Sequence, residues 1–118
     1  MNQYRKKIGD WGEDQACLFL QRHGFFIVER NYHTVFGEID IVASKKESVY
    51  FVEVKTRKDR YLANDQSITY GKKIKLQKSV RAYCYSRNIL EDRIILAGLI
   101  IEVDSKDKMV RFNFYIMV

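Results

Sequence analysis

Four charged side chains interrupt apolar runs in the stretch GEIDIVASKKESVYFVEVKTRK, residues 37–58: Glu38, Asp40, Glu53 and Lys55. Charged residues are almost never fully buried unless they are paired. Alternate residues of a strand share a face, so Glu38 and Asp40 point one way, and Glu53 and Lys55 share a face of the next strand. A turn at Ser-Lys-Lys-Glu (44–47) folds the strands together and lets all four converge on one patch. Carboxylates held that close raise one another's pKa unless a cation neutralises them. Lys55 supplies one positive charge, and a divalent ion would supply the rest. A further acid, Glu13, heads an apolar stripe of Ala16, Cys17 and Leu20 at helical spacing. Gly9 and Gly12 flank it. Each weakens a helix by about 1 kcal/mol relative to Ala, which close packing or ligand approach at the bare backbone would offset.

Three acids and a lysine on a sheet suit a hard cation. Mg²⁺ takes one or two carboxylates, keeps several waters and shares the oxygens of a phosphate; Mn²⁺ is the alternative. Asp40 and Glu53 are the expected shared ligands, with Glu13 assisting directly or through water. Lys55 is expected to hold an attacking water or the charge that develops on phosphorus. His23 and His33 are the chain's only histidines, and they lack metal-ligand spacing.

The elements that must position these residues follow from periodicity. Residues 8–23 read as a helix closed by Gly24. Phe25 to Arg30 is strand-like, Glu38 to Ser44 alternates, and Val49 to Arg57 completes a hairpin. A polar loop spans 58–66. A second helix starts at Ile68 or Lys72 and runs to about Arg87, with Leu76, Val80, Tyr83 and Cys84 on one face. Ile94 to Asp104 and Met109 to Met117 form a last hairpin across Ser-Lys-Asp-Lys. The order α-β-β-β-α-β-β predicts a small mixed sheet flanked by helices. Trp11, Phe19 and the other aromatic residues are expected in its core.

A chain of 118 residues, 47% hydrophobic and 31% charged, is expected to form one domain over 1–118. Residues 1–13 have no apolar central region of the secretory kind. The longest apolar run, IILAGLII (94–101), is far short of the ~20 residues of a membrane span. Cys17 and Cys84 are isolated and read as free thiols in a reducing cytoplasm. The formal net charge is +6, and it lies in one place. Between Gln66 and Leu90 stand Lys72, Lys73, Lys75, Lys78, Arg81 and Arg87 with no acid among them, while the rest of the chain balances. A localised basic stripe suits a polyanion; the plainer reading is a solvated helix face.

With these residues in view the chain resembles a known group. Asp40 in GEID and Glu53 and Lys55 in FVEVK match the acid, gap, Glu-x-Lys pattern of the PD-(D/E)xK nuclease superfamily. Glu13 in GDWGEDQA matches the helix-one glutamate of many members. More narrowly, residues 9–83 resemble the bacterial YraN-like family, and archaeal Holliday-junction resolvases are similar more loosely. Lys72 stands where YraN-like proteins usually carry a lysine. Two positions depart from that family: His33 stands where an arginine is usual, and Arg93 is followed by no acid until Glu102.

The resemblance implies an α/β fold with a restriction-endonuclease-like αβββαβ core, its mixed central sheet flanked by helices. It implies a Mg²⁺-dependent endonuclease that hydrolyses DNA phosphodiester bonds, selective for branched structures if it follows the resolvases. Glu13, Asp40, Glu53 and Lys55 would be catalytic, with Glu13, Asp40 and Glu53 on the metal. Arg57, closing FVEVKTR, joins Lys72, Lys73 and Lys75 as expected nucleic-acid contacts. The expected partner is nucleic acid, DNA in the first instance, and no membrane. Tyr61 and Tyr70 are candidates to stack on bases. A homodimer would suit junction cutting, and IILAGLII and the late hairpin are candidate partner faces. The competing reading is a catalytically silent nucleic-acid-binding protein that keeps the fold. A glycosidase would also use paired carboxylates, but it gives the basic segment no role.

Overall fold

The computed structural model describes residues 3–59 and 68–117. Helix α1 (Gln3–Arg22) precedes β1 (Phe26–Thr34), β2 (Gly37–Lys45) and β3 (Ser48–Lys58). Helix α2 (Tyr70–Arg87) and a 3₁₀ turn (Glu91–Arg93) lead to β4 (Ile94–Asp104) and β5 (Met109–Ile116). The five strands form one sheet in chain order. β3 and β4 are parallel and the other pairs antiparallel. The expected mixed α/β sheet flanked by helices, consistent with a restriction-endonuclease-like core, is present.

Both helix ends have local causes. Gly24 takes a φ of +85°, where a side chain would be strained. It lets Phe25 N–H donate to the Leu20 carbonyl at 2.9 Å and Gly24 N–H to that of Gln21 at 3.1 Å. This pair of bonds stops α1, and Phe25 packs in the same cluster as Leu20. At the start of α2, the Thr69 hydroxyl accepts from Lys72 N–H at 3.3 Å, which fixes the start of the helix near Ile68 rather than at Lys72. Asn88 closes α2 in the left-handed region, with φ 56°.

Adjacent residues of β3 face opposite sides. Val52 packs with α1 residues Ala16, Cys17 and Leu20, and Phe51 with α2 residues Leu76, Val80 and Tyr83. The helices therefore cover opposite faces, and the central strands are apolar on both. Cys17 and Cys84 are buried free thiols in these two separate cores.

Several expectations change. The second half of IILAGLII is not available to a partner: Ala97, Leu99 and Ile101 pack in the cluster under α1, and Ile100 is buried as well. Trp11 is 38% exposed, since it lies off the inward stripe of α1, and Phe26, Phe36, Tyr70 and Tyr85 are exposed as well. α1 begins before Ile8, and β1 continues to Thr34, beyond Arg30. Tyr61 and most of the polar loop lie outside the described residues. Among the described residues no helix is long and apolar enough to cross a membrane.

Candidate functional site

The β2–β3 ladder runs from Lys45–Ser48 to Ile41–Val52 and stops there. One residue further along β2, the Asp40 carboxylate accepts a hydrogen bond from Val54 N–H at 2.8 Å, in place of a backbone carbonyl. The strand also turns at this point. Ile41 and Ala43 pack on the α1 face, yet Ile39 packs on the α2 face, where strict alternation would not put it. The strands part around Asp40 and leave a cleft of about 410 Å³. Its walls are Glu13 from α1, Gly37, Glu38 and Asp40 from β2, Glu53 from β3, and Lys72, Lys75, Leu76 and Ser79 from α2.

Glu13 reaches the cleft because α1 sits down hard on β3. A Cβ on Gly12 would collide with the Thr56 hydroxyl, so this glycine permits the approach. Gly9 does not share that role, since a Cβ there would meet nothing. Behind Glu13, Arg30 pairs with Asp14 at 2.8 Å and lies 3.9 Å from Glu13. Asn31, left-handed at φ 51°, lies beside Glu13 and favours its ionised form.

Carboxylate oxygens of Glu13, Glu38 and Asp40 lie within 4.8 Å of one another. Burial, followed by the negative charge of Glu53, pushes the Asp40 carboxyl up to about 8. Burial and then Asp40 push Glu13 up to about 7. Burial also raises Glu53, against the pull of its hydrogen bond with Asp40 and the charge of Lys72. Lys55 moves down, first through desolvation and then through Lys72 and Arg57. Glu13, Asp40 and Glu53, crowded in a half-buried cleft, oppose their own ionisation, and a hard divalent cation among all-oxygen donors would relieve that opposition.

Sequence reasoning anticipated Glu13, Asp40 and Glu53, and all three line the cleft. Lys55 lies two residues beyond Glu53 on the same side of β3, next to the cleft rather than in its lining. Arg57 is one step further out, in register with Glu102 of β4. Lys72 and Lys75 are in the wall, but half-buried Lys73 is not, because it is turned about 100° from Lys72 on the helix. At the far end of α2, Arg87 pairs with Glu29 at 3.1 Å and caps the Tyr83 ring, so this cation is engaged within the fold.

Glu38 joins the cluster and lies 3.6 Å from His33. Ser79 carried no sequence signal. Tyr115 did leave one: Gly98 stands inside an apolar strand, the mark of a close approach. A Cβ on Gly98 would strike the Tyr115 ring, and the Tyr115 hydroxyl accepts from Ile68 N–H at 3.3 Å just before α2. β5 thus anchors the first turn of α2, which carries Lys72.

Residues 12–114 match the model of the uncharacterised protein family UPF0102. A UPF0102 protein of Clostridium acetobutylicum is 36% identical over 91 residues, covering 76% of this chain and 75% of its own. A relative from Syntrophomonas wolfei is 36% identical over 107 residues, 88% of this chain and 92% of its own. One from Campylobacter jejuni is 40% identical over 84 residues, 71% and 74% of the two chains. Every residue of the acid cleft lies inside the matched span. The chain therefore belongs to the UPF0102 family, in agreement with the YraN-like resemblance of its GEID and FVEVK segments.

Proposed function

We propose that the protein is a divalent-metal-dependent endonuclease that hydrolyses phosphodiester bonds in DNA. One observation carries the reading: Asp40 is held on the Val54 amide among Glu13, Glu38 and Glu53, with Lys72 and Lys75 on the same cleft wall. Carboxylates alone would repel a phosphate. Carboxylates that hold Mg²⁺ beside two lysines would attract one. Glu13, Glu38 and Asp40, whose oxygens lie within 4.8 Å of one another, would hold the ion, and Glu53 beside Asp40 would complete the set. The ion, when bound, supplies the charge that activates a water and stabilises the leaving oxygen.

Within the chain, the Val54 amide fixes which Asp40 oxygen faces the cleft. Lys72 and Lys75 steer the backbone phosphates. Lys55 brings an ammonium to the cleft's edge, placed to meet charge that grows on the phosphoryl oxygens. The position of Lys55 outside the lining favours one other reading, a nucleic-acid-binding protein without cleavage.

The deciding experiment incubates the protein with single-stranded, duplex, flapped and four-way-junction DNA under Mg²⁺, Mn²⁺ or EDTA. Cutting that needs the metal and disappears in Asp40→Asn supports the nuclease. Binding with no cutting under either metal supports the silent binder.

A further inference from the structure

The turn between β1 and β2 reads Thr34-Val35-Phe36-Gly37, and its two middle residues are apolar. Turn chemistry favours Asn, Asp, Gly or Ser there, so the turn itself gives no reason for Val and Phe. Val35 is 93% exposed and Phe36 46%. The turn that presents them is braced. The Thr34 hydroxyl donates to the Gly37 carbonyl at 2.8 Å and accepts from Phe36 N–H at 3.1 Å. It also lies 2.9 Å from the hydroxyl of Ser79, which is buried in α2. Since Thr34 has one proton and has used it, Ser79 is the donor. Gly37, at φ +140°, then carries the chain directly into the cleft.

Lys72, Lys75 and Ser79 follow i, i+3, i+7 on α2 and all line the cleft. Seven residues of helix rise about 10 Å, close to three nucleotides at about 3.4 Å each along a strand. Ser79, at the end of this row, touches Thr34 at the base of the turn, so a backbone laid along the two lysines runs toward the apolar tip.

We propose that the Val35–Phe36 tip is a wedge that packs against nucleobases, so that the preferred substrate contains an unstacked or unpaired step, such as a flap or junction, rather than continuous duplex. This rests on the reading that nucleic acid occupies the cleft. Apolar side chains inserted at a base step unstack it, at a cost that is smallest where pairing is already broken. The charge around the tip selects this occupant over a protein surface: the wall leading to it carries lysines, and the cleft beside it carries acids that suit a phosphate-bridging cation.

The test compares wild type, the Val35→Ser/Phe36→Ser double variant and Phe36→Trp, with Ca²⁺ in place of Mg²⁺. The probes are a flapped DNA with 2-aminopurine at the branch and the matching continuous duplex. Wild type should prefer the flap and raise 2-aminopurine emission on binding. The double variant should lose about tenfold of that preference, the scale of one base–aromatic stack, while its affinity for continuous duplex stays unchanged. Phe36→Trp should retain the preference. An equal loss on both DNAs, or an unchanged preference in the double variant, overturns the wedge. Wild type that binds DNA without preference overturns the wedge alone, and wild type that binds no nucleic acid overturns the cleft's assignment with it.

Discussion

The two ends of the β2–β3 pair obey different rules. From Lys45–Ser48 to Ile41–Val52 the ladder is unbroken, and Ile41, Val42, Phe51 and Val52 are wholly buried. Beyond Ile41 the ladder gives way to an aspartate side chain on an amide, and the same strands carry Glu38, Asp40 and Glu53. The closed end stabilises the fold by burying apolar area. The open end stores mutual repulsion, held in place by the closed end. The proposed chemistry sits where the sheet stops being a sheet, and mutations at the two ends should fail in opposite ways.

The largest expected contrast sets Asp40→Asn against Phe51→Ala. Asp40→Asn should abolish cutting yet keep or raise the melting temperature, because it removes one of the crowded charges and retains an acceptor for Val54 N–H. Phe51→Ala should cost about 3–5 kcal/mol in denaturant unfolding through the cavity it leaves. If Asp40→Asn unfolds as readily as Phe51→Ala, the two ends are not separable. Lys55→Ala should slow single-turnover cleavage by roughly 100-fold, the scale of one preorganised charge donor, and weaken binding in Ca²⁺ far less. Equal losses in rate and affinity would remove Lys55 from the chemistry.

A smaller effect probes how α1 delivers Glu13. Gly12→Ala meets the Thr56 hydroxyl and should cost about 1–3 kcal/mol together with much of the cutting. Thr56→Ala in the same chain should restore both. Gly9→Ala meets nothing and should stabilise the protein by about 1 kcal/mol. Failure of Thr56→Ala to rescue would mean that the contact does not set the helix position.

The pH dependence is gentler and has a definite sign. Asp40 and Glu13 titrate near about 8 and about 7 in the folded chain, while unfolded carboxylates titrate near ~4. Between these values the folded state holds protons that the unfolded state has released, so stability falls as pH rises from about 4 to 8. Thermal unfolding in EDTA should show a steeper fall for wild type than for Asp40→Asn, and Mg²⁺ should recover more at pH 8 than at pH 5. Parallel curves for the two proteins would place the titration elsewhere. The smallest change belongs to the lysine wall: Lys72→Ala with Lys75→Ala should flatten the log–log salt slope of duplex binding by about 0.9 per lost phosphate contact.

Much of this was legible in the chain. Alternation marks β2 and β3 within a residue or two, and helical spacing marks Leu76, Val80, Tyr83 and Cys84 as the buried face of α2, because burial of one face imposes those periods. The acids were visible as charge where the period demanded hydrophobes. The break in alternation at Asp40 was not legible, since it comes from a side chain that bonds a neighbouring strand fourteen residues away. Nor was the exposure of Trp11, as a lone helix carries no record of which neighbours reach its flanks. The first residues of α1 lack apolar periodicity, so they gave no sign of helix.

The Tyr115 contact has a consequence for the order of assembly. Synthesis is vectorial, and Tyr115 emerges long after the acids and lysines it helps to arrange. Until β5 zips onto β4, Gly98 is uncovered and Ile68 lacks its phenolic acceptor. A nascent chain would thus carry every charged group of the cleft before it has the clasp that holds Lys72 over them. The finished cleft would then arrive with β5, after its acids and lysines have already been made.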